Sequence, residues 1–287
     1  MRAVLHEHAT KFWAVAEPLL TADPVDNTIT ITVLNRLLRG MSYGPDAPIL
    51  VTVHAEDGDR LLGAAMSTPP HPLCVTALPE DTMPEVIAVL RAAKVQLPGA
   101  QGQRDRVEAF VRLWTADPAL RSELVMRERL YRLDLLTPPA GIPGTADLAT
   151  TGDIPLLADW RRAFSAEALA NSGATLLDAV EQTRSSLAAG SANLFWRVDG
   201  EPVALAVVGS PNAGMSRIGP VYTPPAHRGH GYGSAVTAVA GRWALAQGAG
   251  HVVLFTDLAN PTSNSIYQKI GFRPVADQLK VDFVPHP

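Results

Sequence analysis

A glycine-rich segment carries the strongest chemical signature in this chain. Residues 225–234 read PAHRGHGYGS and lie between a strand-like run, 218–223, and a helix-like run, 234–247. A glycine turn in this setting leaves several backbone N–H groups pointing at one spot, at the positive end of the helix dipole. Because glycine has no Cβ, an anion can approach the main chain closely. The segment therefore predicts a phosphate or pyrophosphate site.

Other sites share such a turn. A dinucleotide-binding fold needs a parallel βαβ unit and an acidic residue about 20 positions later. Asp257 lies near that spacing. However, the strand before the turn follows a hairpin, and no βα repeat comes before it. A Walker-type loop needs Gly-Lys-Ser/Thr, and the sequence has no such triplet. An isolated glycine turn can also merely reverse the chain. This segment alone therefore does not identify the cofactor to which the phosphate belongs.

The elements that must position this segment are predicted to form two successive halves with one plan. Each half is predicted as helix, helix, hairpin, strand, helix, strand, helix and strand. In the first half the predicted elements include helices in 3–40, strands at 49–54, 60–67 and 73–78, and a long strand at 125–136. In the second half they include helices at 153–170 and 176–189, strands at 193–198, 202–208, 216–223 and 251–257, a short helix opened by Asn260-Pro261, and a last strand at 275–283.

Composition bounds the class of protein. The chain has 287 residues, 47% hydrophobic and 18% charged, which gives enough apolar material for two cores and excludes a disordered protein. The net charge of -4 does not indicate a surface that binds nucleic acid. With one cysteine, Cys74, and no signal-peptide or membrane-spanning run, we predict a cytoplasmic protein that contacts neither nucleic acid nor membrane. No His, Cys, Asp or Glu set has zinc spacing, so no metal is predicted.

A second motif follows the strand at 251–257. Residues 260–272 read NPTSNSIYQKIGF. The run RGHGYG at 228–233 resembles the acyl-CoA pyrophosphate loop of the GNAT N-acetyltransferase superfamily, Gln/Arg-x-x-Gly-x-Gly/Ala. Residues 260–272 resemble the same superfamily's Asn-x-x-Ser/Ala-x-x-x-Tyr run ending in Gly-Phe. The two motifs match in order, spacing and predicted element type, and the resemblance covers roughly residues 150–287.

The resemblance implies an α/β fold (an α+β mixed sheet) of tandem GNAT-like domains, each a mostly antiparallel sheet flanked by helices. It implies that loop amides hold the CoA pyrophosphate and that the preceding strand pairs with the pantetheine arm. It also implies that Asn260 and Asn264 approach the pantetheine, and that Tyr267 protonates the departing thiolate as general acid. The implied CoA-binding residues are Val221, Tyr222, Thr223, Arg228, Gly229, His230, Gly231, Tyr232, Gly233, Ser234, Asn260, Asn264 and Tyr267.

The general base is left unassigned. Relatives often place a Glu on the strand before the loop, but residues 216–223 contain no acid. Glu167, on the first helix of the second half, and Asp257 are the two candidates. A solvated helix face is the alternative interpretation of Glu167.

The first half resembles the superfamily only in the order of its elements. We predict a degenerate GNAT-like domain at 1–136, a linker at 137–147 and a catalytic domain at 148–287. Where the glycine loop should fall, residues 78–84 contain Glu80 and Asp81 and no glycine. Because these acids would repel a pyrophosphate, we predict that this half binds no CoA.

Three functions are compatible with these patterns. The first is an N-acyltransferase that moves an acetyl group from acetyl-CoA to the primary amine of a small molecule or peptide by direct attack. The second is a catalytically inactive acyl-CoA sensor or scaffold, which the missing strand carboxylate would suit. The third is a nucleotide-binding module unrelated to CoA. The small amine acceptor is not specified by any residue, and the oligomeric state is open, with a homodimer as one possibility.

Overall fold

A computed structural model describes residues 1–58, 60–117, 119–168 and 176–286. The chain divides into two compact units. The N-terminal unit comprises Met1–Arg129 with Ala276–Pro287, and the C-terminal unit comprises Leu130–Val275. This division differs from the predicted one, because the last residues of the chain cluster with the N-terminal unit. The domain boundaries drawn from the sequence stay a prediction.

The N-terminal unit follows the predicted order, with one additional strand at its start. Its elements are β1 (Arg2–Leu5), α1 (Ala9–Ala22), α2 (Thr28–Leu38), β2 (Ile49–His54), β3 (Leu61–Ser67), β4 (Leu73–Cys74), α3 (Met83–Ala92), β5 (Gly99–Gln103), α4 (Arg104–Trp114) and the beginning of β6 (Leu120–Leu133). Antiparallel pairs join β1, β2, β3 and β4 in that order, and β4 pairs with β5 in parallel. The predicted strand at 73–78 is therefore shorter than expected.

The C-terminal unit repeats this order. It contains β7 (Thr145–Leu148), α5 (Ile154–Ala168), α6 (Leu176–Ala188), β8 (Ala192–Val198), β9 (Glu201–Val208), β10 (Met215–Tyr222), α7 (Tyr232–Ala246), β11 (His251–Asp257), α8 (Pro261–Lys269) and the beginning of β12 (Phe272–Pro285). Strands β7 to β10 pair antiparallel in chain order, and β10 pairs with β11 in parallel. The predicted end of the first helix, at residue 170, lies outside the described residues.

Both faces of the C-terminal sheet are covered, and successive residues of its strands enter different cores. Leu194 of β8 packs into the core on the face covered by α7 and α8, whereas the next residue, Phe195, packs with Trp160 of α5. A strand buried on both faces reads as a continuous apolar run, which β9 does from Val203 to Val208. The two cores fix α7 and α5 on opposite sides of β10.

The strands β6 and β12 each begin in one unit and end in the other. At its C-terminal end β12 pairs antiparallel with β5, and Leu279 and Val281 belong to the core of the N-terminal unit. Within the described residues no helix is long and apolar enough to cross a membrane.

Candidate active site

The pairing between β10 and β11 stops part of the way along both strands. Their parallel register runs from Met215 opposite His251 to Ile218 opposite Leu254. Both strands continue for several described residues without further mutual pairs, β10 to Tyr222 and β11 to Asp257. On its other side β10 pairs with β9 again at Val221 and Tyr222, after an irregularity in the register. The end of β10 therefore keeps main-chain groups toward β11 with no strand partner.

The loop after β10 presents a cluster of free amides. Gly229 and Gly231 have φ of 82° and 81°, a backbone conformation that glycine adopts without strain, and Gly231 precedes α7. The first amide of this helix region with a protein acceptor is that of Ala235, which donates to the carbonyl of Gly231 at 3.0 Å. For residues 229–234, all of them described, no protein acceptor of the amide is found. The amide of Arg228 donates to Pro225 O at 3.3 Å, so the free amides begin one residue later than predicted.

Gly231 is required by a close contact as well as by its backbone angle. A Cβ at this position would lie 2.6 Å from Cδ1 of Ile142. Ile142 packs against the core that contains Tyr232 and Tyr267, and the indole Nε1 of Trp196 donates to the neighbouring Pro143 O at 2.9 Å. The segment predicted as a linker thus packs against the C-terminal unit and continues into β7.

Arg228 is fixed by two partners. Its Nε donates to Thr223 O at 2.9 Å, and its Nη2 forms an ion pair with Oε2 of Glu167. The other oxygen of Glu167 accepts from the hydroxyl of Tyr222 at 3.2 Å. Burial raises the pKa of Tyr222, and the Glu167 carboxylate raises it further, so this phenol stays protonated and donates. Glu167 is far from β10 in the sequence, but its carboxylate therefore lies at the end of that strand.

The ring of His230 is held by an aromatic neighbour in the loop. His230 stacks on Tyr232, with ring centroids 5.4 Å apart and an interplanar angle of 11°. Its Nδ1 lies 3.3 Å from His227 O. The ring of Tyr232 is itself buried in the core, which anchors the first residue of α7.

Tyr267 is buried on α8 beside the same core. Its ring meets Phe272 edge to face, with centroids 6.2 Å apart. Burial raises the pKa of its phenol to about 12, against a smaller opposite effect of the Ser263 hydroxyl. The phenol is protonated at every physiological pH, so it can donate a hydrogen bond and cannot act as a base. Val221 packs against this same core, as does Tyr232, so the structure brings together residues from all three predicted segments.

The two asparagines hold α8 in place. Asn260 caps the helix as predicted, because its Oδ1 accepts from the amide of Ser263 at 3.0 Å. Asn264 donates through Nδ2 to Asp257 O at 2.9 Å and to Asn260 O at 2.7 Å. Its Oδ1 accepts from the hydroxyl of Tyr131 at 3.0 Å. Tyr131 was not predicted from the sequence, since it lies where charged and apolar residues alternate along β6 and shows only a strand-like pattern.

Asp257, the other candidate base, turns toward its own chain. Its Oδ1 accepts from the amide of Ala259 at 2.8 Å in the turn between β11 and α8. A carboxylate bound in this way stabilises the turn that leads into α8. Within the described residues no group of three or more side chains could hold a metal ion.

Comparison with known proteins agrees with this architecture. The family model of the acetyltransferase (GNAT) family matches residues 157–272. No curated protein sequence matches the chain.

Solved structures resemble it over its full length. A GNAT-family acetyltransferase from Colwellia psychrerythraea is 12% identical, with 100% of both chains covered and a TM-score of 0.61. A GCN5-related N-acetyltransferase from Sphaerobacter thermophilus is 18% identical, with 99% of this chain and 96% of that chain covered and a TM-score of 0.63. A tandem GNAT protein from the clavulanic acid biosynthesis pathway is 13% identical, with 100% and 99% covered and a TM-score of 0.62. At these identities the likeness concerns the fold, and it confirms the predicted tandem GNAT-like α/β architecture. Residues 157–272 are therefore similar in sequence to the acetyltransferase (GNAT) family, and the whole chain shares the fold of a tandem GNAT protein.

Proposed function

We propose that the C-terminal unit transfers an acetyl group from acetyl-CoA to a primary amine. The observation that carries this proposal is the row of partnerless amides at 229–234, directly after a strand that has separated from its neighbour. Amides at a helix N-terminus, aided by the helix dipole, suit a diphosphate. Arg228 adds a guanidinium with five N–H donors, of which two are used within the protein.

The unpaired end of β10 suits the rest of the donor. Residues 221–223 offer main-chain groups toward β11, and the amide groups of pantetheine can pair with such groups as a neighbouring strand would. An N–H of this segment would then face the thioester oxygen and stabilise the negative charge that develops there.

In the proposed reaction the acceptor nitrogen attacks the thioester carbonyl carbon directly. The C–N bond forms, the C–S bond breaks, and the nitrogen loses one proton to solvent. Tyr267 donates a hydrogen bond to the departing sulfur. Complete proton transfer from a phenol of pKa about 12 to a thiolate whose acid has an ordinary pKa of about 8.5 would cost roughly 5 kcal/mol. We therefore assign Tyr267 the donation of a hydrogen bond, a narrower role than the general acid inferred from the sequence.

The N-terminal unit is proposed to bind no CoA. The segment before α3 contains Glu80 and Asp81, whereas the corresponding segment before α7 contains glycines. Glu80 forms an ion pair with Arg112 at 2.6 Å. We expect one CoA per chain by isothermal titration calorimetry. Two equivalent sites would contradict the assignment of this unit.

A charge placed on the loop tests the diphosphate site. Gly229 has open space around a built Cβ, so Asp and Asn at this position differ in charge alone. We expect Gly229→Asp to weaken CoA binding at least tenfold relative to Gly229→Asn, because a carboxylate beside the free amides repels the diphosphate. Gly248, with φ of 87° and the same open surroundings at the other end of α7, provides the matched pair Gly248→Asp and Gly248→Asn. Equal CoA affinity of the two Gly229 variants would refute the site.

Turnover is a separate test. Free thiol release with acetyl-CoA and a panel of amines is expected, with an acetylated amine as the second product. Binding of acetyl-CoA without turnover of any amine would instead support a sensor or scaffold. Stabilisation by NAD or ATP and not by CoA would support a different nucleotide site.

A further inference from the structure

The carboxylate of Glu167 occupies a defined place beside the unpaired end of β10. It lies near the C-terminal end of α5 and is 45% exposed, with one oxygen on the Tyr222 hydroxyl and the other on the Arg228 guanidinium. A carboxylate on a simple solvated helix face would have neither partner. The structure thus favours a functional role for Glu167 over the alternative interpretation drawn from the sequence.

The carboxylate lies on the face of the sheet opposite the proposed donor site. Val221 packs on the side of α7 with Tyr267, whereas the ring of Tyr222 packs with Trp160 on the side of α5. Because β10 and β11 stop pairing at Ile218 and Leu254, a thioester held between their ends would be reached from both faces of the sheet. With the donor held by the α7 loop, the α5 face is left for the acceptor.

The geometry of Glu167 decides what kind of group it can hold. Each of its oxygens already accepts one hydrogen bond, Oε1 from the Tyr222 hydroxyl and Oε2 from the Arg228 guanidinium. Each oxygen also keeps a second lone pair that can accept a charge-assisted bond from a cation. Asp159, on the same helix, adds negative charge at the Tyr222 phenol.

We propose that Glu167 is the acceptor-specificity residue and that it binds a second positive charge on the acceptor, one that persists through the reaction. The acceptor class is then a diamine or a similar dication, in which one amine is acetylated and the other remains protonated on Glu167. Tyr222 and Arg228 hold the carboxylate in position. This inference rests on the proposed acetyltransferase function.

The test compares α,ω-diamines of three to eight carbons with monoamines of equal length. The wild type is expected to prefer the diamine in kcat/KM, and Glu167→Gln to reduce the diamine-to-monoamine ratio at least tenfold. The CoA Kd, measured by calorimetry, is expected to stay within threefold. Glu181→Gln, at an exposed position on α6, is the matched control and is expected to keep the wild-type ratio.

Tyr222→Phe adds a finer readout. It removes the hydroxyl that holds Glu167 and keeps the packed ring, so we expect a severalfold higher KM for diamines and a smaller change for monoamines of equal length.

Three outcomes would overturn the proposal. The first is an unchanged diamine-to-monoamine ratio in Glu167→Gln. The second is a CoA Kd that rises in this variant while the ratio stays unchanged, because Glu167 would then only hold Arg228 in position for CoA. The third is that diamines stabilise the CoA-bound wild type against heat no better than monoamines do, a measurement that needs no turnover. A wild type that does not bind CoA would instead contradict the proposed function. Failure of the diamine proposal and failure of the proposed function are therefore distinguishable.

Discussion

The hydroxyl of Tyr131 donates to Oδ1 of Asn264 at 3.0 Å, and this bond joins β6 to the helix that carries Tyr267. Tyr131 is completely buried, and its hydroxyl oxygen accepts from Gln268 Nε2 at 3.3 Å. Asn264 in turn reaches the carbonyl of Asp257 at the end of β11. A completely buried side chain of β6 thus sets the position of α8 relative to the end of the β10–β11 pair.

Tyr131→Phe is expected to destabilise the protein by about 1–2 kcal/mol, because the oxygen of the half-buried Asn264 loses its donor. Urea unfolding measures this change. Tyr43→Phe is the matched control, since the buried hydroxyl of Tyr43 has no partner within the described residues. We expect that variant to unfold at the wild-type urea concentration or above it. Equal loss in both variants would contradict the role of the Tyr131–Asn264 bond.

Tyr267→Phe is expected to lower kcat about 100-fold, because the departing sulfur loses its hydrogen-bond donor. The CoA Kd should remain within threefold, since the ring keeps its contact with Phe272. Single-turnover acetyl transfer, where chemistry limits the rate, is the measurement. Wild-type turnover under that condition would remove Tyr267 from the reaction.

Stability at alkaline pH provides an independent check on the burial of Tyr267. Its pKa rises from 10.0 to about 12 on folding, so the contribution is complete below pH 10 and is lost as pH rises through 12. The unfolded chain loses the proton first, and at pH 11 this difference costs about 1.4 kcal/mol. The free energy of unfolding of the wild type relative to Tyr267→Phe should therefore fall by that amount between pH 9 and pH 11. A constant difference would mean that the phenol is solvated. Tyr222, also raised, is present in both proteins and cancels.

The contact between Gly231 and Ile142 predicts a coupled pair. Gly231→Ala should destabilise the protein more than Gly248→Ala, because both positions have positive φ but only the first meets a neighbour. Ile142→Ala should cost some stability through lost packing and should also relieve the collision. A double-mutant cycle by urea unfolding is expected to show a favourable coupling of about 1 kcal/mol. Additive effects would mean that the loop moves away from Ile142.

The fold was predictable where the sequence has strong local signals. The hairpin β8–β9 has Asp199-Gly200 at its turn, and α8 has Asn and Pro at its start, so both were located within a few residues. The strands β1 and β7 were missed, and β5 was expected in the order of elements but was not located in the sequence. The residues of β5 read GAQGQ and have no β-branched or aromatic side chain, and β7 lies in a Pro- and Gly-rich segment. These strands form because they pair with other strands, and the local sequence pattern does not indicate that pairing.

The candidate site was predictable where it depends on main-chain geometry. Glycines at fixed spacing before a helix indicate free amides, and the structure has them at 229–234. The contacts of Glu167, Tyr131 and Ile142 were not predictable, because each joins residues more than 50 positions apart. Ile142 also lies in a segment that reads as a linker. Sequence spacing indicates which side chains share one element, and packing decides which elements meet.

The membership of residues 276–286 in the N-terminal unit sets an order for biosynthesis. Leu279 and Val281 fill a core whose other buried members lie between Ile49 and Trp114 and are therefore synthesised much earlier. That core stays short of one strand until Leu279 and Val281 have left the ribosome. The N-terminal unit therefore completes its fold only after residues 130–275, which form the other unit, have been translated.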